Sequence, residues 1–270
     1  SMERVLSHTR ISAVPAPTSW MYLLHGIYGS GRNWGSLARR LAEKRPEWGI
    51  ILVDLRLHGG STDMPPPHTL EQCSVDLSLL EEKLGLQVSA VLGHSFGGKV
   101  ALVHAREAPP GLKQVWVVDS TLRVGEPTGT PWRVLEIVRS LPDRFASREE
   151  LAQAMVSHGY SHAVGQWLAM NLERQDDGFR WRLDWDGVEA LLRDYFASDV
   201  WPVVDDPPPG VVIHVVKAAD SEAVDEESAE RIRRAERSTG RVHLHTVSGG
   251  HWVNVENPDA ILELLVAHLP

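Results

Sequence analysis

The stretch Gly93-His94-Ser95-Phe96-Gly97 decides the fold of this 270-residue chain. It follows an apolar run at 88–92 that is typical of a buried strand, and it precedes a helical stretch at about 97–108. A serine in a tight strand-to-helix turn needs glycine two positions before and after it, because larger side chains would collide with the adjoining backbone. The turn also places the hydroxyl at a helix N-terminus, where developing negative charge is favoured. The stretch therefore predicts that Ser95 is a nucleophile.

A serine hydroxyl is a weak nucleophile until a neighbouring base takes its proton. The chain has thirteen histidines, and His251 is the best placed of them. It follows the last predicted strand, at 242–247, and precedes a final helix that opens at Asn257-Pro258. A histidine that comes late in the chain, after the serine, matches the order known for nucleophiles in strand–turn–helix elbows. We therefore predict a Ser95–His251 pair.

The third member of such a site is a carboxylate that holds the imidazole in the required tautomer. Asp119 follows a predicted strand at 114–118, and Asp220 follows another at 211–216. Both lie at the carboxyl ends of strands, where the sites of α/β sheets collect. Either aspartate satisfies the order serine, aspartate, histidine, so the residues alone leave the choice open.

Backbone N–H groups must stabilise the negative charge that develops on the substrate oxygen. One is expected from Phe96, directly after the nucleophile, and the other from Ile27 in the glycine-rich loop after the predicted strand 20–24. Glycine-rich backbone approaches a ligand closely, so we also expect His25 and Gly26 to contact the substrate. The loop lacks the Gly-Lys-Ser/Thr ending of a phosphate-binding loop and the third glycine of a dinucleotide fingerprint.

Strand and helix patterns alternate through the first two-thirds of the expected core and resume near the C-terminus, which predicts a mainly parallel sheet with helices on both faces. Residues 121–205 interrupt this alternation with amphipathic helical stretches, among them 161–174, and with no convincing buried strand. We therefore expect a core formed by residues 1–120 and 206–270, with a helical cap, or lid, at 121–205.

Five of the ten tryptophans lie in the 121–205 segment. Tryptophan fills cores first, so most of these rings are expected to pack the cap on the core. We select Trp167, together with Trp252 beside the predicted base, as candidate substrate contacts. A cap rich in tryptophan favours an apolar acyl group.

The composition limits the partners of the protein. A net charge of −9 at pH 7 disfavours binding to nucleic acid or to anionic lipid. No apolar run approaches the roughly 20 residues that cross a bilayer. A single cysteine, Cys73, cannot form an internal disulfide, and residues 1–4 lack the apolar region of a secretory signal, so we expect a cytoplasmic protein. No spacing of histidines and carboxylates suggests a metal site.

Together these residues resemble the α/β-hydrolase superfamily along nearly the whole chain. More narrowly, the chain looks like the small bacterial carboxylesterases related to mitochondrial α/β-hydrolase domain proteins. The residues that carry the resemblance are His25-Gly26, Gly29-Ser30, Asn33-Trp34, Asp54-x-Arg56-x-His58-Gly59-x-Ser61, Gly93-His94-Ser95-Phe96-Gly97-Gly98-Lys99 and Gly250-His251-Trp252-Val253. The resemblance implies a mostly parallel eight-stranded sheet flanked by helices, with an inserted helical cap.

In that subgroup the acid follows the sixth strand, about where Asp119 stands, and a serine after the seventh strand, at the place of Ser221, can join the site. This chain departs from the subgroup by carrying Asp220 where asparagine is usual. On the resemblance we favour Asp119 as the acid, with Asp220 as the alternative and Ser221 as an auxiliary residue.

The resemblance also implies hydrolysis of carboxylic ester or thioester bonds in short- to medium-chain acyl substrates, through an acyl-enzyme and without a cofactor. Two other functions stay open. One is cleavage of a carbon–carbon bond in a small metabolite by the same residues. The other, from a different class, is ligand binding without catalysis. In each case the partner that the sequence indicates is a small molecule.

Overall fold

The computed structural model describes residues 4–270. The prediction about a secretory signal in residues 1–4 therefore lies almost entirely outside the described residues. The strands, in chain order, are β1 (His8–Ile11), β2 (Ser19–Leu24), β3 (Trp48–Val53), β4 (Val88–His94), β5 (Gln114–Val118), β6 (Arg144–Phe145), β7 (Leu172–Gln175), β8 (Gly178–Trp181), β9 (Val212–Ala218) and β10 (Val242–Val247). The helices are α1 (Gly35–Lys44), α2 (Leu70–Leu84), α3 (Phe96–Arg106), α4 (Thr130–Ser140), α5 (Arg148–Ser157), α6 (His162–Ala169), α7 (Trp185–Ala197), α8 (Trp201–Asp205), α9 (Glu226–Thr239), α10 (Val253–Glu256) and α11 (Pro258–His268), with a short 3₁₀ helix at Gly31–Trp34.

Seven strands form the main sheet, in the order β1-β3-β2-β4-β5-β9-β10. Every neighbouring pair is parallel except β1 and β3, which are antiparallel. β3 is buried along its whole length, as expected for an apolar strand covered on both faces. Side chains of α2, α3 and α9 pack in the core on one face of the sheet, and those of α1 and α11 in the core on the other.

The main sheet has seven strands within residues 4–270 rather than the eight that the resemblance implies. Residues 12–18 alone separate β1 from β2. Pro15 and Pro17 in this connection have no N–H to donate to a strand ladder. The connection therefore contributes no strand to the main sheet.

Residues 121–205 lie between β5 and β9 and contain α4 to α8. The segment is not wholly helical as expected, because β6, β7 and β8 form a small antiparallel sheet. The helix expected at 161–174 ends at Ala169, and residues 172–175 pair instead with 178–181. Most residues of these two strands are at least partly exposed, so their sequence shows no apolar run that would mark them as strands.

The carboxyl ends of β4, β5, β9 and β10 meet at one edge of the sheet, because these strands are consecutive neighbours and run in parallel. In the register, His94 lies opposite Val118, and Val118 lies opposite Val216. The residues that follow these strands therefore emerge side by side, at the edge where parallel sheets carry their sites. No helix in residues 4–270 has the length and apolar character that crossing a membrane would require.

Candidate active site

Ser95 lies in the predicted turn between β4 and α3, with φ 52° and ψ −114°. A positive φ is strained for a residue that has a side chain. Two hydrogen bonds hold it in place: the Ser95 N–H donates to the carbonyl of Val118 (2.7 Å), and the Ser120 hydroxyl donates to the carbonyl of Ser95 (2.6 Å). A β-carbon at Gly93 would overlap the carbonyl group of Gly97, so the close approach of strand and helix requires glycine.

The predicted pair comes together. Ser95 Oγ lies 3.0 Å from His251 Nε2, and His251 Nδ1 lies 2.9 Å from Asp119 Oδ2. Because a carboxylate only accepts hydrogen bonds, Nδ1 is the nitrogen that donates to Asp119, which leaves Nε2 as the acceptor for the Ser95 hydroxyl. This arrangement is the one that proton transfer from serine to histidine needs.

The carboxylate of Asp119 is completely buried, at 0% exposure. Its Oδ1 accepts the Ala218 N–H (3.0 Å), and its Oδ2 accepts the Ser221 hydroxyl (2.5 Å) in addition to His251. Three donors thus compensate for the burial of the charge. Ser221 contacts the carboxylate at the place where the resemblance implies an auxiliary serine.

The geometry does not support Asp220 as the alternative acid. Its side chain is exposed, whereas its backbone N–H donates to the carbonyl of Gly249 (2.9 Å). β9 ends at Ala218, and Asp220 lies in the turn that follows, where it lines the larger cavity. His251 is paired with Asp119 instead. Of the two candidate acids, the structure thus places Asp119, and not Asp220, against His251.

Two backbone amides are available for a substrate oxygen. Phe96 is the first residue of α3, so its N–H has no acceptor within the helix. Ile27 lies in the loop after β2 and lines a small cavity with Ser95 and His251. Within residues 4–270 neither N–H has a hydrogen-bond acceptor. Unpaired amides beside a nucleophile are what the predicted oxyanion hole requires.

The loop that carries Ile27 is held by its neighbours. The Tyr28 N–H donates to His58 Nε2 (3.0 Å), and the Gly29 N–H donates to the carbonyl of Gly26 (3.1 Å). Burial lowers the pKa of His58 to about 3, so its ring is neutral and can accept this bond. Because both of these amides are already paired, neither competes with Ile27 for a ligand oxygen.

The expectation that His25 contacts the substrate needs correction. His25 is 1% exposed; its Nε2 accepts the Leu55 N–H (3.0 Å), and its Nδ1 donates to the carbonyl of Gly26 (2.7 Å). Burial lowers the pKa of His25 to about 4, so the neutral ring has no free polar atom. It ties the loop after β2 to the loop after β3. Gly26, in contrast, lines the small cavity beside Ser95.

His94 positions the loop of the predicted base, a role that sequence reasoning missed. Its Nε2 lies 2.7 Å from the backbone carbonyl of His251 and donates to it. Burial lowers the pKa of His94 to about 4, so this ring is neutral as well. No local pattern signals the contact, because the two residues are far apart in the sequence and the position between Gly93 and Ser95 accepts any residue in the motif.

Two cavities border Ser95. The larger, of about 620 Å³, is lined by Ser221 and His251 from the core and by Thr121, Tyr160 and other residues of the 121–205 segment. Its lining mixes charged and apolar groups, with Arg123, Arg133, Asp220, Glu222, Phe196 and Trp252 among them. Within residues 4–270 no three histidine, cysteine or acidic side chains converge in a way suited to a metal ion.

The smaller cavity is apolar on one side, where the rings of Trp167 and Trp252 lie 4.8 Å apart. Both tryptophans line this cavity together with Ser95, and their contact with a substrate stays a prediction. Trp181, in contrast, packs edge-on against Trp185, with 5.0 Å between the ring centroids, inside the 121–205 segment. It follows the ordinary expectation for a core aromatic.

Comparison with family models adds a finding that covers most of the chain. The model of the Alpha/beta hydrolase family matches residues 21–264. This chain belongs to the alpha/beta hydrolase family. The match runs from β2 into α11 and includes residues 121–205, and it confirms the predicted fold class.

Named relatives of this α/β hydrolase include a lipase and an esterase. The sn-1-specific diacylglycerol lipase ABHD11 of Mus musculus is 29% identical over 255 residues, which cover 91% of this chain and 79% of the relative. Esterase YbfF of Escherichia coli (strain K12) is 27% identical over 251 residues, which cover 92% and 91%. A solved marine microorganism esterase matches with a TM-score of 0.83 at 22% identity and covers 98% of this chain and 99% of its own. At that identity the likeness shows the fold alone.

Proposed function

We propose that this α/β hydrolase cleaves carboxylic ester or thioester bonds of short- to medium-chain acyl substrates through an acyl-enzyme on Ser95. The observation that carries the proposal is the unbroken line of contacts from Ser95 Oγ through His251 to the buried carboxylate of Asp119. The lipase and esterase among its relatives support an ester as the bond that is cleaved.

In the first half-reaction, Ser95 Oγ attacks the carbonyl carbon of the substrate while His251 Nε2 takes its proton. The Ile27 and Phe96 amides stabilise the charge on the carbonyl oxygen, and the N-terminus of α3 adds to this effect. Asp119 keeps Nδ1 protonated and stabilises the imidazolium. His251 then passes the proton to the leaving alcohol or thiol, and the acyl group remains on Ser95.

In the second half-reaction, a water molecule attacks the carbonyl carbon of the acyl group on Ser95, and His251 Nε2 takes a proton from that water. The same amides stabilise the second tetrahedral intermediate. When this collapses, Ser95 Oγ regains its proton from His251 and the carboxylic acid leaves.

The substrate's larger group is proposed to occupy the larger cavity, whose volume of about 620 Å³ is in the range of small-molecule sites. We propose Trp167 and Trp252 as apolar contacts close to the reacting carbon. Residues 121–205 line both cavities, which supports a role for this segment as a cap over the site.

Ser95→Ala tests the proposal directly. We expect the variant to lose labelling by a fluorophosphonate probe and hydrolysis of p-nitrophenyl acetate, whereas the wild type shows both. Ser74→Ala is the matched control, because Ser74 is also a buried serine but its hydroxyl, on α2, pairs with His104 on α3. Turnover by the Ser95 variant at the wild-type rate would refute the proposal.

A further inference from the structure

Tyr195 on α7 presents a hydroxyl to the larger cavity that the mechanism above does not use. The residue is 3% exposed, and its hydroxyl accepts the Thr121 N–H at 2.7 Å. A phenol can accept two hydrogen bonds and donate one. Within residues 4–270 its O–H has no acceptor at hydrogen-bond distance. A donor is therefore left over beside Ser95, in the cavity that the substrate would enter.

The phenol of Tyr195 is also kept in its donating form. Burial raises its pKa to about 12, and the carboxylate of Asp119 acts in the same direction, while the hydrogen bond from the Thr121 N–H acts against it. At neutral pH the hydroxyl therefore retains its proton. Tyr195 also lines the same cavity as Ser95 and His251.

Lys99 determines where Tyr195 lies. It is 0% exposed and belongs to α3, one turn after Ser95. Its ammonium donates to the backbone carbonyl of Tyr195 (2.5 Å) and lies 4.9 Å from the centre of the Tyr195 ring. That carbonyl is one of the last in α7, where the helix leaves carbonyls without donors and favours a cation. A buried ammonium is costly, and these contacts are what compensate for it here.

We propose that Tyr195 is a substrate-binding residue whose hydroxyl donates a hydrogen bond to an oxygen of the ester bound at Ser95, with Lys99 as the positioning residue that holds it there. The inference rests on the ester-hydrolase function proposed above. The ring is fixed at both ends, by Thr121 at the hydroxyl and by Lys99 at the backbone. Its O–H is therefore oriented before the substrate arrives, which reduces the cost of binding.

Tyr195→Phe removes the hydroxyl and keeps the ring. We expect kcat/KM for p-nitrophenyl acetate to fall by about tenfold to a hundredfold, the range that corresponds to one lost hydrogen bond to a substrate that becomes charged. Tyr22→Phe is the control, because the Tyr22 hydroxyl is also buried but donates to the carbonyl of Leu77 in α2. A Tyr195 variant within twofold of the wild type would overturn the proposal.

The positioning role of Lys99 is tested by combining Lys99→Met with Tyr195→Phe. If Lys99 acts through the hydroxyl, its replacement lowers kcat/KM in the wild type and has no further effect once the hydroxyl is gone. Equal losses in both backgrounds would refute that role, since a purely structural contribution is additive. Lys99→Gln, which keeps an N–H donor, replaces the methionine variant in the cycle if the latter does not fold.

The two proposals fail in different ways. Loss of labelling in Ser95→Ala together with full activity in Tyr195→Phe would remove the inference on Tyr195 and keep the serine hydrolase. Persistent turnover in Ser95→Ala would remove both.

Discussion

Replacing Asp119 by asparagine exchanges one carboxylate oxygen for an amide nitrogen. The hydrogen-bond partners around this side chain determine the orientation of the amide. The position of Oδ1 accepts the Ala218 N–H, so the amide oxygen has to take that place. The amide nitrogen then faces His251 Nδ1 and the Ser221 hydroxyl. Because this nitrogen is a donor, Nδ1 must become an acceptor and the ring proton moves to Nε2. Nε2 can then no longer accept the proton of Ser95.

The expected loss follows from this wrong tautomer. We expect kcat of Asp119→Asn to fall by about 10⁴, the effect typical of the same exchange in serine–histidine–aspartate sites. This corresponds to about 5 kcal/mol of the activation barrier. The variant keeps the shape of the side chain and its bond to Ala218, so we expect a folded protein with little change in KM.

The assay is the steady-state hydrolysis of p-nitrophenyl acetate, with urea unfolding to confirm that each variant is folded. Asp220→Asn is the matched control, because this exposed carboxylate has no contact with His251, and we expect it to stay within about twofold of the wild type. A large loss in Asp220→Asn with a small loss in Asp119→Asn would refute the assignment of the acid.

Two further predictions concern the support of the site and its pH dependence. Ser221→Ala removes one of the three hydrogen bonds to the Asp119 carboxylate, so we expect kcat to fall by about tenfold in the same assay, and an unchanged kcat would contradict an auxiliary role. Acid should destabilise the fold, because burial lowers the pKa of several histidines, including His25, to about 3 or 4. As the pH falls, these histidines take up protons in the unfolded chain before they do so in the folded protein. The free energy of unfolding is therefore unaffected above pH 6.5. Between pH 6.5 and 4 it falls by about 1.4 kcal/mol per pH unit for each such histidine. Urea midpoints that stay constant from pH 7 to 5 would exclude this effect.

Local sequence patterns predicted the pair of Ser95 and His251 that the structure brings together, because each of these predictions depends on a short stretch of chain. The turn around Ser95 needs glycine at 93 and 97, and this requirement is visible in the sequence. His251 could be selected by its place between the last strand and the last helix. The amides of Phe96 and Ile27 were predictable for the same reason. Phe96 directly follows Ser95, and Ile27 lies in the glycine-rich loop after β2.

Residues that depend on the direction of a side chain could not be predicted in this way. Asp119 and Asp220 both follow strands, and only the backbone at φ 50° for Asp119, with the donors that surround it, separates the buried carboxylate from the exposed one. Tyr195 belongs to a helix whose pattern marks it as buried, but a periodic pattern does not tell which buried ring borders a cavity. The exposed strands β7 and β8 were missed because hardly any apolar alternation marks them.

The strained backbone at the two strand ends explains how the site keeps its shape. Ser95 (φ 52°) and Asp119 (φ 50°) both have a conformation that is costly for residues with side chains. The backbone N–H of each residue nevertheless adds one hydrogen bond to the end of a strand pair. The Ser95 N–H donates to the Val118 carbonyl of β5, and the Asp119 N–H donates to the Val216 carbonyl of β9, both at 2.7 Å. The hydrogen bonds of the main sheet thus offset the strain and set the distance between the strand that precedes Ser95 and the strand that precedes Asp119. It follows that the line from Ser95 to Asp119 is assembled by the core before any substrate binds, and that binding has only to position the ester against it.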